Sequence, residues 1–151
     1  TSLRLQHAST MILNACGRKQ KNKEDIMKVL NTDKAPGAVG PYVQGMAAEK
    51  FVFTSGQLPI DPASGELVSD CIKKAARTSL TNVLEIVKTA GGDIKNIMKV
   101  NIFVKDMNDF AAVNEEYAEF FGDHKPARSC VEVARLPKDA RIEIEAIAYL
   151  G

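Results

Sequence analysis

The chain has 151 residues, of which 45% are hydrophobic and 26% charged. That length holds one domain, with a core large enough to stand without disulfide or metal staples. Its 20 basic and 19 acidic residues leave a net charge of +1, which argues against the strong whole-chain field of a nucleic-acid or anionic-membrane binder. No apolar run approaches the ~20 residues of a membrane span. The three cysteines, Cys16, Cys71 and Cys130, are an odd number without a Cys-x-x-Cys pair, and His7 and His124 are the two histidines. Neither a disulfide scaffold nor a metal site is expected from ligands so scattered.

The first segment differs in composition from the rest. Residues 1–23 carry Arg4, Arg18, Lys19, Lys21 and Lys23 and no acid. Beyond Glu24 and Asp25, residues 27–151 carry 15 basic and 17 acidic residues, a net of −2. Residues 1–26 therefore read as a basic leader, with an organelle-targeting segment, an expression remnant and a disordered tail as the alternatives. A secretory hydrophobic stretch is lacking, so the expected compartment is cytoplasmic or mitochondrial rather than extracellular. The folded domain is expected over 27–151.

Within it the punctuation is regular. Met27 to Asn31 is a short extended segment, and Lys34-Ala-Pro-Gly-Ala-Val-Gly-Pro41 is a loop. Tyr42 to Met46 and Lys50 to Thr54 read as strands, and Pro59 to Gly65 is dense in turn formers. Ser69 or Asp70 is placed to cap a helix running to Ala90, with Ile72, Ala76, Leu80, Val83, Leu84 and Val87 at helical spacing and Gly91-Gly92 as its stop. Lys99 to Val104 is a β-branched strand. A second helix opens near Asn108 and buries Phe110, Val113, Tyr117 and Phe120 on one stripe. Arg128 to Leu136 and Arg141 to Leu150 close the chain as strands, joined through Pro137-Lys138-Asp139-Ala140. This order predicts an α+β fold, a mixed β-sheet with two helices packed on one face. The last strand alternates Ile142, Ile144, Ala146 and Ala148 toward the helices and leaves Glu143, Glu145, Ile147 and Tyr149 on a second face, which suits either solvent or a subunit contact.

The chain lacks GxSxG, Walker, GxGxxG and HExxH motifs. Its informative stretch runs from Pro126 to Ile144. Arg128 follows Pro126 into a strand, and a period of two puts Arg128 and Cys130 on one face. An arginine fixed by a proline and a strand presents its planar fork in a set direction, as bidentate capture of a carboxylate requires. Glu143 interrupts the Ile142–Ile144 pattern, so it must face water or a site. A His124–Cys130 nucleophile pair is disfavoured by the extended chain between them, and a mid-strand cysteine reads first as a small buried hydrophobe.

The stretch Pro126-Ala-Arg-Ser-Cys-Val-Glu-Val-Ala-Arg-Leu-Pro-Lys-Asp-Ala-Arg-Ile-Glu-Ile144 resembles the signature of the RidA (YjgF) family of reactive-intermediate deaminases. Gly40-Pro-Tyr-Val-Gln-Gly45, Thr54-Ser-Gly-Gln-Leu-Pro59 and Val104-Lys-Asp-Met-Asn-Asp-Phe110 with Val113-Asn114 extend the likeness over 27–150. The resemblance implies a chorismate-mutase-like fold, a homotrimer with sites at the subunit interfaces, and no cofactor. It implies hydrolysis of 2-iminobutanoate or 2-iminopropanoate, released by pyridoxal-phosphate-dependent dehydratases, to 2-oxo acid and ammonia. The matching site residues are Arg128 and Glu143 as catalytic groups, with Tyr42, Ser55, Gly56, Gln57, Asn114, Arg128 and Cys130 binding substrate. Lys125 departs from the pattern, standing where relatives often carry an aromatic residue. Arg128 would hold the carboxylate, and Glu143 or a neighbouring carbonyl would orient water at the C=N carbon. A hairpin of the last two strands, centred on Lys138-Asp139, would oppose Glu143 to Ala134 and leave Arg128 ~20 Å along the strand, which predicts that the two belong to sites shared between subunits. The alternative in another class is a non-catalytic metabolite sensor, or a translation-inhibitor or ribonuclease-like protein, using the same clefts. Nucleic acid is the weaker partner, because the folded part is acidic and shows no basic stripe with stacking aromatics.

Overall fold

The computed structural model describes residues 26–151. All but the last residue of the expected leader thus lies outside the described residues. The elements follow in the order β1 (Met27–Leu30), β2 (Gly45–Ala48), β3 (Phe51–Thr54), α1 (Ile72–Thr89), β4 (Ile97–Val104), α2 (Phe110–Phe121), β5 (Ala127–Glu132) and β6 (Ile142–Tyr149). They form the expected α+β fold.

Several boundaries differ from the sequence reading, each for a local reason. β2 starts at Gly45 rather than Tyr42, because the Gln44 side chain donates to the carbonyls of Thr32, Ala35 and Pro36 and ties this stretch to the preceding loop. The residue before α1 is Cys71, with no side-chain cap, rather than Ser69 or Asp70, and Gly91 (φ +87°) ends the helix as expected. In α2 the buried residues are Val113, Glu116, Tyr117 and Phe121, whereas Phe110 is more than a third exposed. Glu116 is buried because it pairs with Arg77 across the helix–helix contact.

The largest correction concerns the end of the chain. The six strands are ordered β1-β2-β3-β6-β4-β5, so β5 and β6 do not form a hairpin. After β4 the chain crosses through α2 and returns as β5, parallel to β4 and outside it. β6 then fills the slot between β3 and β4, antiparallel to both. The Pro137–Asp139 turn is present, with Lys138 and Asp139 both left-handed (φ 56° and 57°), but it joins strands two places apart. β5 stops at Glu132 and has no fully buried residue, as an edge strand should.

The alternation expected for β6 is observed. Ile142, Ile144, Ala146 and Ala148 are buried beneath the helices with Val52, Val100, Ile102 and Val104. The opposite face has no cover among the described residues. Register places Met27, Ala48, Phe51 and Tyr149 in one row across four strands, and Val29, Met46, Phe53 and Ile147 in the next. Met27, Val29, Phe51, Phe53 and Tyr149 are all between 39% and 54% exposed, an unusual amount of apolar surface for one sheet face.

One glycine sets how closely sheet and helix approach. A Cβ on Gly45 would lie 2.6 Å from Ile86 Cγ2 of α1 and 3.1 Å from the Phe53 carbonyl oxygen. Gly45→Val is therefore expected to lower unfolding stability by about 1–3 kcal/mol through overpacking, measured as a reduced denaturant midpoint at unchanged slope.

Candidate functional site

The residues singled out from sequence fall into two groups, one on each side of the sheet. The first is built where the loop after β3 runs beside β6. Ser55 donates its backbone N–H to the Gln44 carbonyl (2.9 Å) and its hydroxyl to the Val43 carbonyl (2.5 Å). Gln57 exchanges both main-chain bonds with Ile144, at 2.7 and 3.1 Å. Gly56 is thereby laid flat against Glu143. A Cβ at Gly56 would sit 1.9 Å from Glu143 Oε1, so only hydrogen permits this approach. Tyr42, half-exposed, accepts the Val39 N–H on its hydroxyl (3.3 Å). Tyr42, Gly56 and Gln57 line a cavity of about 220 Å³ with Pro36, Leu58 and Pro137.

Glu143 lies on the uncovered sheet face, in register with Phe103 and, one strand further, Val131. Partial burial, and then the charge of neighbouring Glu145, push its carboxyl above the usual carboxylate range. Glu145 itself accepts from Asn101 Nδ2 at 3.0 Å.

The second group lies on the other face. Arg128 pairs in register with Val100, a core residue of zero exposure, so its side chain rises on the helix side. Its Nη1 donates to Asn114 Oδ1 at 2.7 Å, and its guanidinium carbon stands 4.8 Å from the Tyr117 ring centre and 5.6 Å from that of Phe110. Cys130, two residues on, shares this face and packs on the core. Burial raises its thiol, partly offset by Arg128, which disfavours the thiolate that a nucleophile needs. His124 is no partner for it, since its Nε2 lies 2.6 Å from the Ile97 carbonyl oxygen.

The electrostatics single out Arg128. Of the four arginines among the described residues, Arg77 pairs with Glu116 and Glu119, Arg141 with Asp109, and Arg135 stands beside Asp139. Arg128 has no carboxylate partner among the described residues; Asn114, a neutral acceptor, is its hydrogen-bond partner. Because Arg128 and Glu143 project from opposite faces, a single chain does not bring them together. The hairpin register expected from sequence is wrong, yet the two groups are separate for this other reason. Larger hollows elsewhere, about 480 Å³ beside Lys34, Asp61 and Arg77 and about 740 Å³ beside Phe51, His124 and Tyr149, contain none of the catalytic or substrate-binding residues implied by the resemblance. Among the described residues, no three His, Cys, Asp or Glu side chains come together as a metal site.

Comparison with known proteins decides the family. The family described as Endoribonuclease L-PSP matches residues 32–150. The chain is 55% identical over 124 residues to the 2-iminobutanoate/2-iminopropanoate deaminase of Salmonella typhimurium, covering 80% of this chain and 96% of that protein. This chain belongs to the RidA/YjgF family. Among solved RidA/YjgF structures, that of E. coli TdcF with bound serine is 51% identical, with a TM-score of 0.79 over 82% of this chain and 99% of that one. Yeast Mmf1 is 41% identical with the same TM-score, over 83% and 99%.

The sequence reading missed Phe110 and Tyr117 as neighbours of the site, taking them as core. The signal was present in the spacing 110, 114, 117, which puts both rings on one helical stripe with Asn114.

The contact between Gly56 and Glu143 can be tested directly. Gly56→Ala is expected to displace the Glu143 carboxylate and to lose at least tenfold in turnover, while the melting temperature falls by no more than a few degrees. Circular dichroism melts and steady-state rates on the same sample separate the two effects.

Proposed function

We propose that the protein is a hydrolytic deaminase of short 2-imino acids, acting as a homotrimer whose sites join Arg128 of one protomer to Glu143 of the next. The observation that carries this reading is a guanidinium held in fixed geometry with no carboxylate partner among the described residues. Such a group is suited to one small carboxylate. The 55%-identical relative named as a 2-iminobutanoate/2-iminopropanoate deaminase supports the substrate class.

The same geometry supports the proposed assembly. The uncovered apolar face carries Glu143, whereas Arg128 lies at the β5 edge on the helix side. Joining them brings two different patches of the surface together, and a head-to-tail contact between such patches closes into a ring when its rotation permits, the trimer being the ring proposed here. Burial of Phe51, Phe53 and Tyr149 would supply much of the association free energy.

In the reaction, water adds to C2 of the protonated imine R–C(=NH2⁺)–COO⁻, the C–N bond of the resulting carbinolamine breaks, and R–CO–COO⁻ and NH4⁺ leave. Arg128 fixes the carboxylate, Glu143 as carboxylate orients and deprotonates the water, and the same proton can pass to the departing nitrogen. Protonated imines are strong electrophiles, so most of the gain is positional. Tyr42, Ser55, Gly56, Gln57 and Cys130 shape the walls. The free thiols of Cys71 and Cys130 suit a reducing compartment, cytoplasm or mitochondrion.

The family description also carries the endoribonuclease name. Against that activity, His124 is the lone imidazole among the described residues and is held at the Ile97 carbonyl, and residues 27–151 net −2.

In a dehydratase-coupled assay, added protein should speed loss of the imine, and Arg128→Ala should lose at least tenfold in kcat/KM, as expected for charge-assisted bonds of about 1.5–3 kcal/mol each. Co-expression of Arg128→Ala and Glu143→Ala chains at equal levels should recover about a quarter of the sites, since a random ring joins an intact arginine to an intact glutamate at that frequency. Recovery of nothing would place both groups of a site in one chain. The pH dependence has a defined sign. The working form of Glu143 is the carboxylate, and burial favours the neutral acid, so kcat/KM should fall as pH drops through a value above the usual carboxylate range. Glu143→Gln should abolish that limb of the profile.

A further inference from the structure

The face of α2 turned toward Arg128 is neutral, although the helix itself is acidic. Glu115, Glu116 and Glu119 are committed to α1, pairing with Lys73 and Arg77. Phe110, Asn114 and Tyr117, spaced by four and three residues, form the stripe under β5. Two rings lie within 6 Å of the guanidinium carbon, at 4.8 Å and 5.6 Å, which is cation–π range. Asn114 takes one N–H from the edge of the fork. Tyr117 is 91% buried by area and its hydroxyl has no hydrogen-bond partner among the described residues.

We propose that Phe110 and Tyr117 are positioning residues, a neutral cradle that holds Arg128 by its ring contacts while leaving its charge for the ligand carboxylate. This rests on the reading of Arg128 as the carboxylate anchor and deepens it. The cradle solves a specific physical problem. A carboxylate under Arg128 would fix the side chain equally well, but it would neutralise the charge and compete with the substrate. Aromatic faces attract the cation without forming an ion pair, and they bury the side chain, which reduces the rotamer freedom lost when the ligand binds. Tyr117 preserves this neutrality despite its ionisable hydroxyl. Burial outweighs the attraction of Arg128 and pushes the phenol up to about 12, so no phenolate forms beside the guanidinium at physiological pH.

The proposal assigns the ring, and not the hydroxyl, to the task, which gives it a sharp test. Kinetics in the dehydratase-coupled assay and calorimetric binding of 2-oxobutanoate are measured for Tyr117→Phe, Tyr117→Leu, Phe110→Leu and Asn114→Asp. Tyr117→Phe should keep KM and the dissociation constant within twofold of the parent. Tyr117→Leu should raise both by about tenfold while kcat changes less than threefold, because the ring acts through carboxylate binding. Phe110→Leu, at a partly exposed position and so safe for folding, should raise them less and in the same direction. Asn114→Asp, nearly isosteric, should raise KM more than tenfold by placing an anion on Arg128. Equal behaviour of Tyr117→Phe and Tyr117→Leu, or unaltered KM in Asn114→Asp, would overturn the proposal.

A ligand-independent measurement separates this from the deaminase reading. Nuclear relaxation of the Arg128 Nε–Hε group should show a rigid side chain in the parent and in Tyr117→Phe, and a mobile one in Tyr117→Leu. If the parent shows no turnover and no binding yet these relaxation differences hold, the cradle stands and the deaminase reading falls. If Arg128 is equally rigid in all variants, the cradle falls whatever the activity.

Discussion

An arginine that meets no carboxylate among the described residues is the constraint on which the rest of the architecture depends. Guanidinium groups on proteins generally find an acid nearby, and the other arginines of the described chain do. Arg128 is instead surrounded by an amide and two rings. That state is costly to hold in a partly buried position unless something else supplies the counter-charge. On the proposed function a small anionic ligand would do so, and selectively, because the fork has a direction set by Pro126 and by pairing of β5 with β4.

The period of the β-strand keeps the two groups of the proposed site apart within one chain. β4 lies between β5 and β6, and the residues that match Arg128 across the ladder are Val100 and Ala146, both facing the helices. Glu143 is in line with Phe103 and Val131, on the other side. No rotamer carries a side chain through a sheet. The separation is therefore built into the backbone, and the apolar rows ending at Phe51 and Phe53 beside the Gly56 loop offer the surface by which a second copy could close the gap. Stability of the assembly and competence of the site would then be properties of the same contact.

Much of this was legible in the sequence, and the failures are instructive. Strand period placed Ile142, Ile144, Ala146 and Ala148 correctly, because a half-buried strand writes its orientation into alternate residues. Helix period placed Leu80, Val83 and Val87, and the glycine pair marked the end of α1. The pairing of strands was not legible. Pro137-Lys138-Asp139 has the chemistry of a tight turn and forms one, but turn chemistry says nothing about which strand waits on the far side. The decisive fact, that β5 returns parallel to β4 through α2, is a matter of how the helix packs back on the sheet, which no local signal states. Resemblance named Gly56 and Glu143 separately, but their contact was not legible, since a glycine in a loop has many causes. Phe110 and Tyr117 were read as core because an aromatic at helical spacing is usually that; only the register of β5 showed what lies above them.

The account is tested most directly by a crystal structure of the assembled protein with 2-oxobutanoate bound. It predicts the carboxylate of the ligand in contact with the Arg128 guanidinium of one protomer, and the Glu143 carboxylate of a neighbouring protomer beside the keto carbon. A ligand seated away from Arg128, or an assembly in which Arg128 meets a carboxylate of the neighbouring chain instead of the ligand, would contradict it.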